Sequence, residues 1–170
     1  SHDVGHFEHS HCNEFINWTV KVIGEISANV TVGRNNDGMW EHLHKVSGNG
    51  VRKIFRVDNG GQLFLVHLHV TEAADRATGG ALHVTGTHEH SSHVEIDSCM
   101  FSNNVAPGGG AIYLSGSSAQ ITNTHFADNN ADLGGAILAV NFGVVLLTNC
   151  TFKGNYKYEW IPMHESFDRL

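Results

Sequence analysis

Proline is almost missing from this chain, with 2 residues in 170, so its turns must be made by other residues. Charge is sparse as well: Asp, Glu, Lys and Arg together make 16% of the residues. The ten Lys and Arg form no patch, and Arg52-Lys53 is the only adjacent pair. With a formal net charge of −7, the electrostatic footprint of a nucleic-acid binder is excluded. No run of about 18 apolar residues exists, which excludes a spanning helix. No charged start with an apolar centre marks a signal peptide. The chain opens at Ser1 rather than Met, the expectation for a processed product. Cysteine is scarce and odd in number: Cys12, Cys99 and Cys150.

What is abundant is glycine, with 19 residues, and histidine, with 14. Much Gly beside short runs of β-branched and aromatic residues reads as an all-β chain with many tight turns. The histidines are mostly neutral at pH 7 and turn cationic below about pH 6. Three sequons, at Asn17, Asn29 and Asn149, point toward a secretory context with glycosylation at those residues.

The rest of the chain is organised around Val94 to Asn155, one unit written nearly three times. It aligns on Phe101, Phe126 and Phe152, which lie 25 and 26 residues apart. Ile96, Ile121 and Leu147 precede them by five residues, and Val94, Ala119 and Val145 by seven. Asn104, Asn129 and Asn155 follow by three. Gly109-Gly110-Ala111 and Gly134-Gly135-Ala136 close the first two units. A fixed period of this length marks a stacked repeat architecture. About 25 residues cannot bury an apolar face alone, but they can when wound into a coil stacked on like neighbours. Equivalent residues then lie about 4.8 Å apart, so the Phe, Ile and Asn columns become ladders.

The spacing therefore predicts an all-β solenoid, a parallel β-helix of about five or six coils over residues 19–155. A His-rich leader and N-terminal cap (1–18) precedes it, and an aromatic C-terminal tail or cap (156–170) follows. Asn13 to Trp18 is expected to make one helical turn. Met39 to Val46 reads as a short helix or an irregular loop. Gln62 to Ala81 is a degenerate unit with Val70 in the Phe place and Ala73 in the Asn place. The extra residues around Thr87 to Ser91 should bulge as a loop. Cys99 and Cys150 sit two coils apart, roughly 10 Å at strand spacing, too far for a disulfide. They read as free thiols in a core column.

The paired motifs G-G-A-[I/L] and F-x-x-N resemble the repeats of chlamydial polymorphic outer membrane proteins and of related right-handed, pectin-lyase-like β-helix proteins. R-K-I-F-R-V-D-N-G-G-Q-L-F-L-V-H-L resembles the coil that precedes those repeats. The resemblance runs from Val51 to Asn155, with a weaker echo from Phe15 to Gly33. It implies a right-handed β-helix, a secreted or surface location, and an adhesive or structural role. The same fold family also houses polysaccharide lyases, hydrolases and epimerases.

Outward positions are where chemistry could sit. One residue before each Phe place stand His69, Met100, His125 and Thr151, and three before stand His67, Ser98, Asn123 and Asn149. Glu95 and Asp97 point outward together. His69, Glu95, Asp97 and His125 therefore form a candidate acid–base patch on one exposed sheet. Against it, the neighbouring coils put Gln120 and Thr122 in the carboxylate columns, and no Lys or Arg joins the patch. Asn123, Asn149 and His125 offer a sugar-binding surface instead. His83, Tyr113 and Leu138 share a further outward column, read as packing against a neighbour. His88, His90 and His93 in the inserted loop are the better metal candidates, ahead of the leader histidines and Cys12. Their spacing matches no closed zinc motif.

The reading that follows is a non-enzymatic extracellular module, structural or adhesive, without a cofactor. It would meet other protein subunits or glycans through its lateral faces and ends, and could assemble through the tail. The alternative is a carbohydrate-active enzyme of the same fold.

Overall fold

A computed structural model describes residues 20–23, 27–31 and 43–157. The expected leader, its helical turn, Asn17, Cys12 and the tail beyond residue 157 lie outside the described residues. Among the described residues every regular element is a strand. The chain visits three sheets in rotation. The first holds β1 (Val20–Ile23), β4 (Phe55–Asp58), β7 (Leu82–Thr85), β10 (Ile112–Ser115) and β14 (Ile137–Val140). The second holds β2 (Ser27–Thr31), β5 (Gln62–Val66), β8 (His93–Asp97), β11 (Ser118–Thr122) and β15 (Val144–Thr148). The third holds β3 (His44–Ser47), β6 (Leu68–Thr71), β9 (Met100–Ser102), β12 (His125–Ala127) and β16 (Thr151–Lys153). A short ladder joins β13 (Asn130–Ala131) to β17 (Tyr156–Lys157). Neighbours in all of them run parallel, as in a β-helix five rungs deep.

The register is the one the repeat spacing demands. Phe126 lies opposite Phe101 and Phe152, Ile112 opposite Leu82 and Ile137, and Ile121 opposite Ile96 and Leu147. Side chains alternate across a strand, so these columns point inward and fuse into one core. The phenyl rings stack at centroid separations of 5.3 and 4.9 Å, within 13° and 6° of parallel. Such stacking adds about 0.5–1.5 kcal/mol per pair to the burial of the rings.

The asparagines form the expected ladder at the exit of the third sheet. Ala73 N donates to Asn104 Oδ1, Asn104 N to Asn129 Oδ1, and Asn129 N to Asn155 Oδ1. Each amide also donates upward, Asn104 to Val70 O and Asn129 to Phe101 O. Chain turning inside a core thus finds partners for its polar groups without water. At the entry to the first sheet the double glycine lets one coil touch the next. A Cβ on Gly110 would collide with the carbonyl oxygen of Gly135, and one on Gly134, at φ 63°, with that of Ile137. The degenerate unit is seated as its spacing implies, with Val70 opposite Phe101 and Ala73 in the ladder. Residues 86–92 leave the stack as an irregular loop between β7 and β8.

Two boundaries differ from expectation. His44–Ser47 is a strand, not a helix or loop, because Val46 pairs with Val70 and completes the third sheet. The open edge of β6 offers hydrogen bonds that outweigh local helix preference. The ladder also runs two residues past Asn155, because β17 pairs with β13. Cys99 and Cys150 are free, and Cys99 is fully buried. Cys99 Sγ donates to Leu65 O and Asp97 O, and burial pushes its thiol up to about 12.

Candidate functional site

The four acid–base candidates do not share a sheet. Glu95 and Asp97 stand on β8 in the second sheet, while His69 and His125 stand on β6 and β12 in the third. A tight corner separates the two sheets, built on residues with positive φ: His67 57°, Ser98 52°, Asn123 48° and Asn149 52°. Met100 further separates His69 from His125 within their column. Asp97 is not poised for proton transfer either. Burial works to raise the Asp97 carboxyl, but hydrogen bonds from Thr122 Oγ1 (2.6 Å), Asn123 Nδ2 (2.9 Å) and Ser98 Oγ (3.1 Å) outweigh it. Asp97 is thus held below the usual carboxylate range, a fixed anion that anchors the corner. His69 is half-buried, and its Nε2 lies 2.7 Å from Ser102 Oγ. Burial first, then the charge of Lys45, push its pKa down, so the ring is neutral. His125 Nδ1 is hydrogen-bonded to Thr151 Oγ1.

The inserted loop is no better as a metal centre. His88 and His90 are exposed, while His93 is tied to Ser118 Oγ at 2.8 Å and to Glu95 Oε1 at 3.4 Å. Among the described residues no three His, Cys, Asp or Glu side chains stand close enough to hold an ion. Asn149 is exposed on the last rung, and its amide donates to Asn123 Oδ1 at 2.7 Å. Asn29 belongs to β2.

The outward face of the first sheet carries a further group of polar side chains. Its outward column runs Arg56, His83, Tyr113 and Leu138 on successive rungs. The His83 and Tyr113 rings stack at 5.0 Å, 23° from parallel. His83 Nδ1 is fixed by Thr78 Oγ1 at 2.9 Å, which leaves Nε2 as the ring's other polar atom. Two ion pairs accompany the column, one of them made by its own Arg56. Arg56 Nε donates to Asp58 Oδ2 at 2.7 Å, and Lys53 Nζ lies 3.3 Å from Asp75 Oδ2. Asp58 also accepts from Thr85 Oγ1 at 2.7 Å. Burial pushes Asp58 up, yet the Thr85 and Arg56 bonds prevail and hold its carboxyl low. The Lys53 side chain is only 12% exposed, and burial lowers its pKa against the pull of Asp75. His83 is lowered by burial and then by the neighbouring Lys53 charge.

Of this group only the column of His83, Tyr113 and Leu138 is visible in the repeat spacing. Lys53, Arg56, Asp58 and Asp75 are not among the sequence candidates. A signal for part of it exists: in F-R-V-D the residues between inward Phe55 and Val57 must face out, and registering that strand on L-H-V-T puts Arg56 beside His83. Asp75 arrives from a turn that no periodicity places.

Residues 44–164 match the family model described as right handed beta helix region. The chain belongs to that family. The match covers the three stacked sheets from β3 onward and gives the parallel coil its hand. No curated protein and no solved structure matches the chain. No helix among the described residues is long and apolar enough to cross a membrane.

Proposed function

We propose that this right-handed β-helix is a non-enzymatic extracellular module that binds glycans through the outward face of its first sheet. The observation that carries the reading is the registered column of Arg56, His83 and Tyr113 together with the Arg56–Asp58 and Lys53–Asp75 ion pairs. Paired charges present donors and acceptors side by side without a net charge, which suits the hydroxyls of a sugar chain. A rigid scaffold holds them at fixed rung spacing, so little ordering cost falls on binding. The resemblance to surface-protein repeats and the exposed sequon at Asn149 support an extracellular setting, with glycosylation there and at Asn17 and Asn29. The test is binding of the full chain to an array of extracellular glycans, repeated with Tyr113→Ala and Arg56→Ala. Loss of binding by tenfold or more in both variants is expected. Unchanged binding in both would sink the reading.

A second reading, a carbohydrate-active enzyme, has one observation in its favour. Lys53, its pKa lowered by burial, stands near His83, held neutral in the same way. A lysine and a histidine shifted in this way, side by side, are the kind of pair that acid–base chemistry uses. Release of unsaturated or shortened sugars from a glycan bound by the parent chain, abolished by Lys53→Met, would favour it over simple binding.

A further inference from the structure

Most polar atoms on the first-sheet face are already engaged within the protein. Asp58 accepts from Arg56 and Thr85. Asp75 Oδ1 accepts from Ala77 N at 2.7 Å and from Thr78 N at 3.1 Å, and its Oδ2 faces Lys53. Three groups are left over, one on each of three successive rungs. Arg56 gives its Nε–H to Asp58, and its Nη groups have no protein partner among the described residues. The Tyr113 hydroxyl has none there either. The third is Nε2 of His83, on the rung between them.

The fold fixes which nitrogen of His83 bears the proton. Nδ1 lies 3.3 Å from the Thr78 carbonyl oxygen as well as 2.9 Å from Thr78 Oγ1. A carbonyl oxygen can only accept, so Nδ1 is the donor. A neutral ring then carries a bare lone pair on Nε2. The ring is neutral because burial first, then the charges of Lys53 and Arg56, outweigh the pull of Thr78 and Asp58. The Tyr113 ring, stacked on the next rung, holds the imidazole plane in place. Rungs are about 4.8 Å apart, so a single sugar spans the step from Arg56 to His83. Along its axis the face thus offers donors, then an acceptor, then a hydroxyl that can be either.

We propose, resting on the glycan reading above, that this face selects neutral sugars over uronates and sulfated sugars, one hydroxyl accepting from Arg56 and its neighbour donating to His83 Nε2. A carboxylate or sulfate can accept from Arg56, but it has no proton for Nε2, and its charge then faces a lone pair. Protonation of His83 reverses the rule: Nε2 can no longer accept, and its N–H now favours an anion. The neutral ring is the form that binds a neutral sugar. That affinity is therefore complete above the pH at which His83 titrates and is lost as pH falls through it. The titratable groups around the ring are Lys53, Arg56 and Asp58 from β4 and the turn before it, Asp75 from the turn that holds Thr78, and Tyr113 from β10. Both acids are already paired, and both cations oppose the imidazolium.

The test takes the full chain and two matched pairs of probes: galactotetraose with the galacturonate tetramer, and mannotetraose with the mannuronate tetramer. Calorimetry at pH 7 is expected to show a neutral tetramer binding at least about tenfold more tightly than its acidic counterpart. Long-range nitrogen–proton NMR of the free chain is expected to show Nδ1 of His83 protonated and Nε2 bare, and gives the pH at which the ring titrates. Below that pH the preference should invert. His83→Gln keeps an acceptor but no titrating group, so its preference for the neutral tetramer should not change with pH. Tighter binding of the uronates at pH 7, or a preference in the parent chain that ignores the titration, overturns the proposal and leaves glycan binding standing. A neutral ring protonated on Nε2 overturns it without any ligand. Binding of none of the four also overturns it, and the wider glycan reading then stands or falls by the array alone.

Discussion

Replacing Asn129 by Ala tests the idea that the asparagine ladder is a buried polar network rather than a row of convenient turn residues. Asn129 is fully buried. Its Oδ1 accepts from Asn104 N at 3.1 Å and Asn104 Nδ2 at 2.9 Å, and its Nδ2 donates to Phe101 O at 2.9 Å and Asn155 Oδ1 at 2.8 Å. Ala removes all four. Two donors of Asn104 are then left in the core without acceptors, and Phe101 O loses a donor. At ~1–3 kcal/mol for each of the three abandoned groups and ~1 kcal/mol for the remaining bond, the loss should be at least about 4 kcal/mol. Asn155→Ala removes equivalent bonds from Asn129, but on the half-buried last rung, where water can replace them. Its cost should be about 1 kcal/mol. Urea denaturation followed by far-ultraviolet circular dichroism gives both values, and amide exchange at Asn104 N–H reports the site directly. Equal costs for the two variants, or a loss below about 1 kcal/mol for Asn129→Ala, would refute the reasoning.

His69 has its folded pKa lowered by burial and by Lys45, so its contribution to stability is complete above about pH 6.5, the unfolded value, and is lost as pH falls through the lower folded value. Urea midpoints measured down this range should fall less steeply for His69→Gln than for the parent. Gly110→Ala brings a Cβ onto the Gly135 carbonyl and should cost at least about 2 kcal/mol, whereas Gly50→Ala, with nothing near its Cβ, should cost about 1 kcal/mol for its positive φ alone. Thermal melts of the pair check the ordering. The Cys99 thiol, buried and pushed up to about 12, should resist iodoacetamide in the native chain and react only as fast as the coil opens, which mass spectrometry of the alkylated peptide would follow.

Most of the scaffold is readable from residue spacing, because in a stacked coil sequence distance and spatial neighbourhood are one quantity. The Phe, Ile and Asn columns fall where counting puts them, and so does the degenerate coil in which Val70 replaces the aromatic. Counting fails where neighbours are not one period apart. His44–Ser47 is a strand because β6 needed an edge partner, a tertiary demand that its own sequence does not carry. The acid–base patch dissolves because the corner at Ser98 turns Asp97 onto one sheet and Met100 onto the next, so i and i+3 face different directions. The first-sheet cluster is half legible. Arg56 follows from alternation, but the Lys53–Asp75 pair depends on how two turns approach each other.

The tight corners between the second and third sheets have a consequence for how such a chain can change length. His67, Ser98, Asn123 and Asn149 occupy a conformation with no slack, one above another. An added residue there would turn every following side chain of that rung inside out. Growth that leaves these corners intact has two clear routes: duplication of a whole coil of about 25 residues, which copies its own neighbours' ladder, and extension of the loop at 86–92, which leaves the stack untouched. The second route matches this chain's own repeats, where that loop is the longest link between the first and second sheets among the coils from β7 onward. For an engineer the same rule marks where a peptide, an epitope or a reporter can be inserted: at the side loop, and not at the corners.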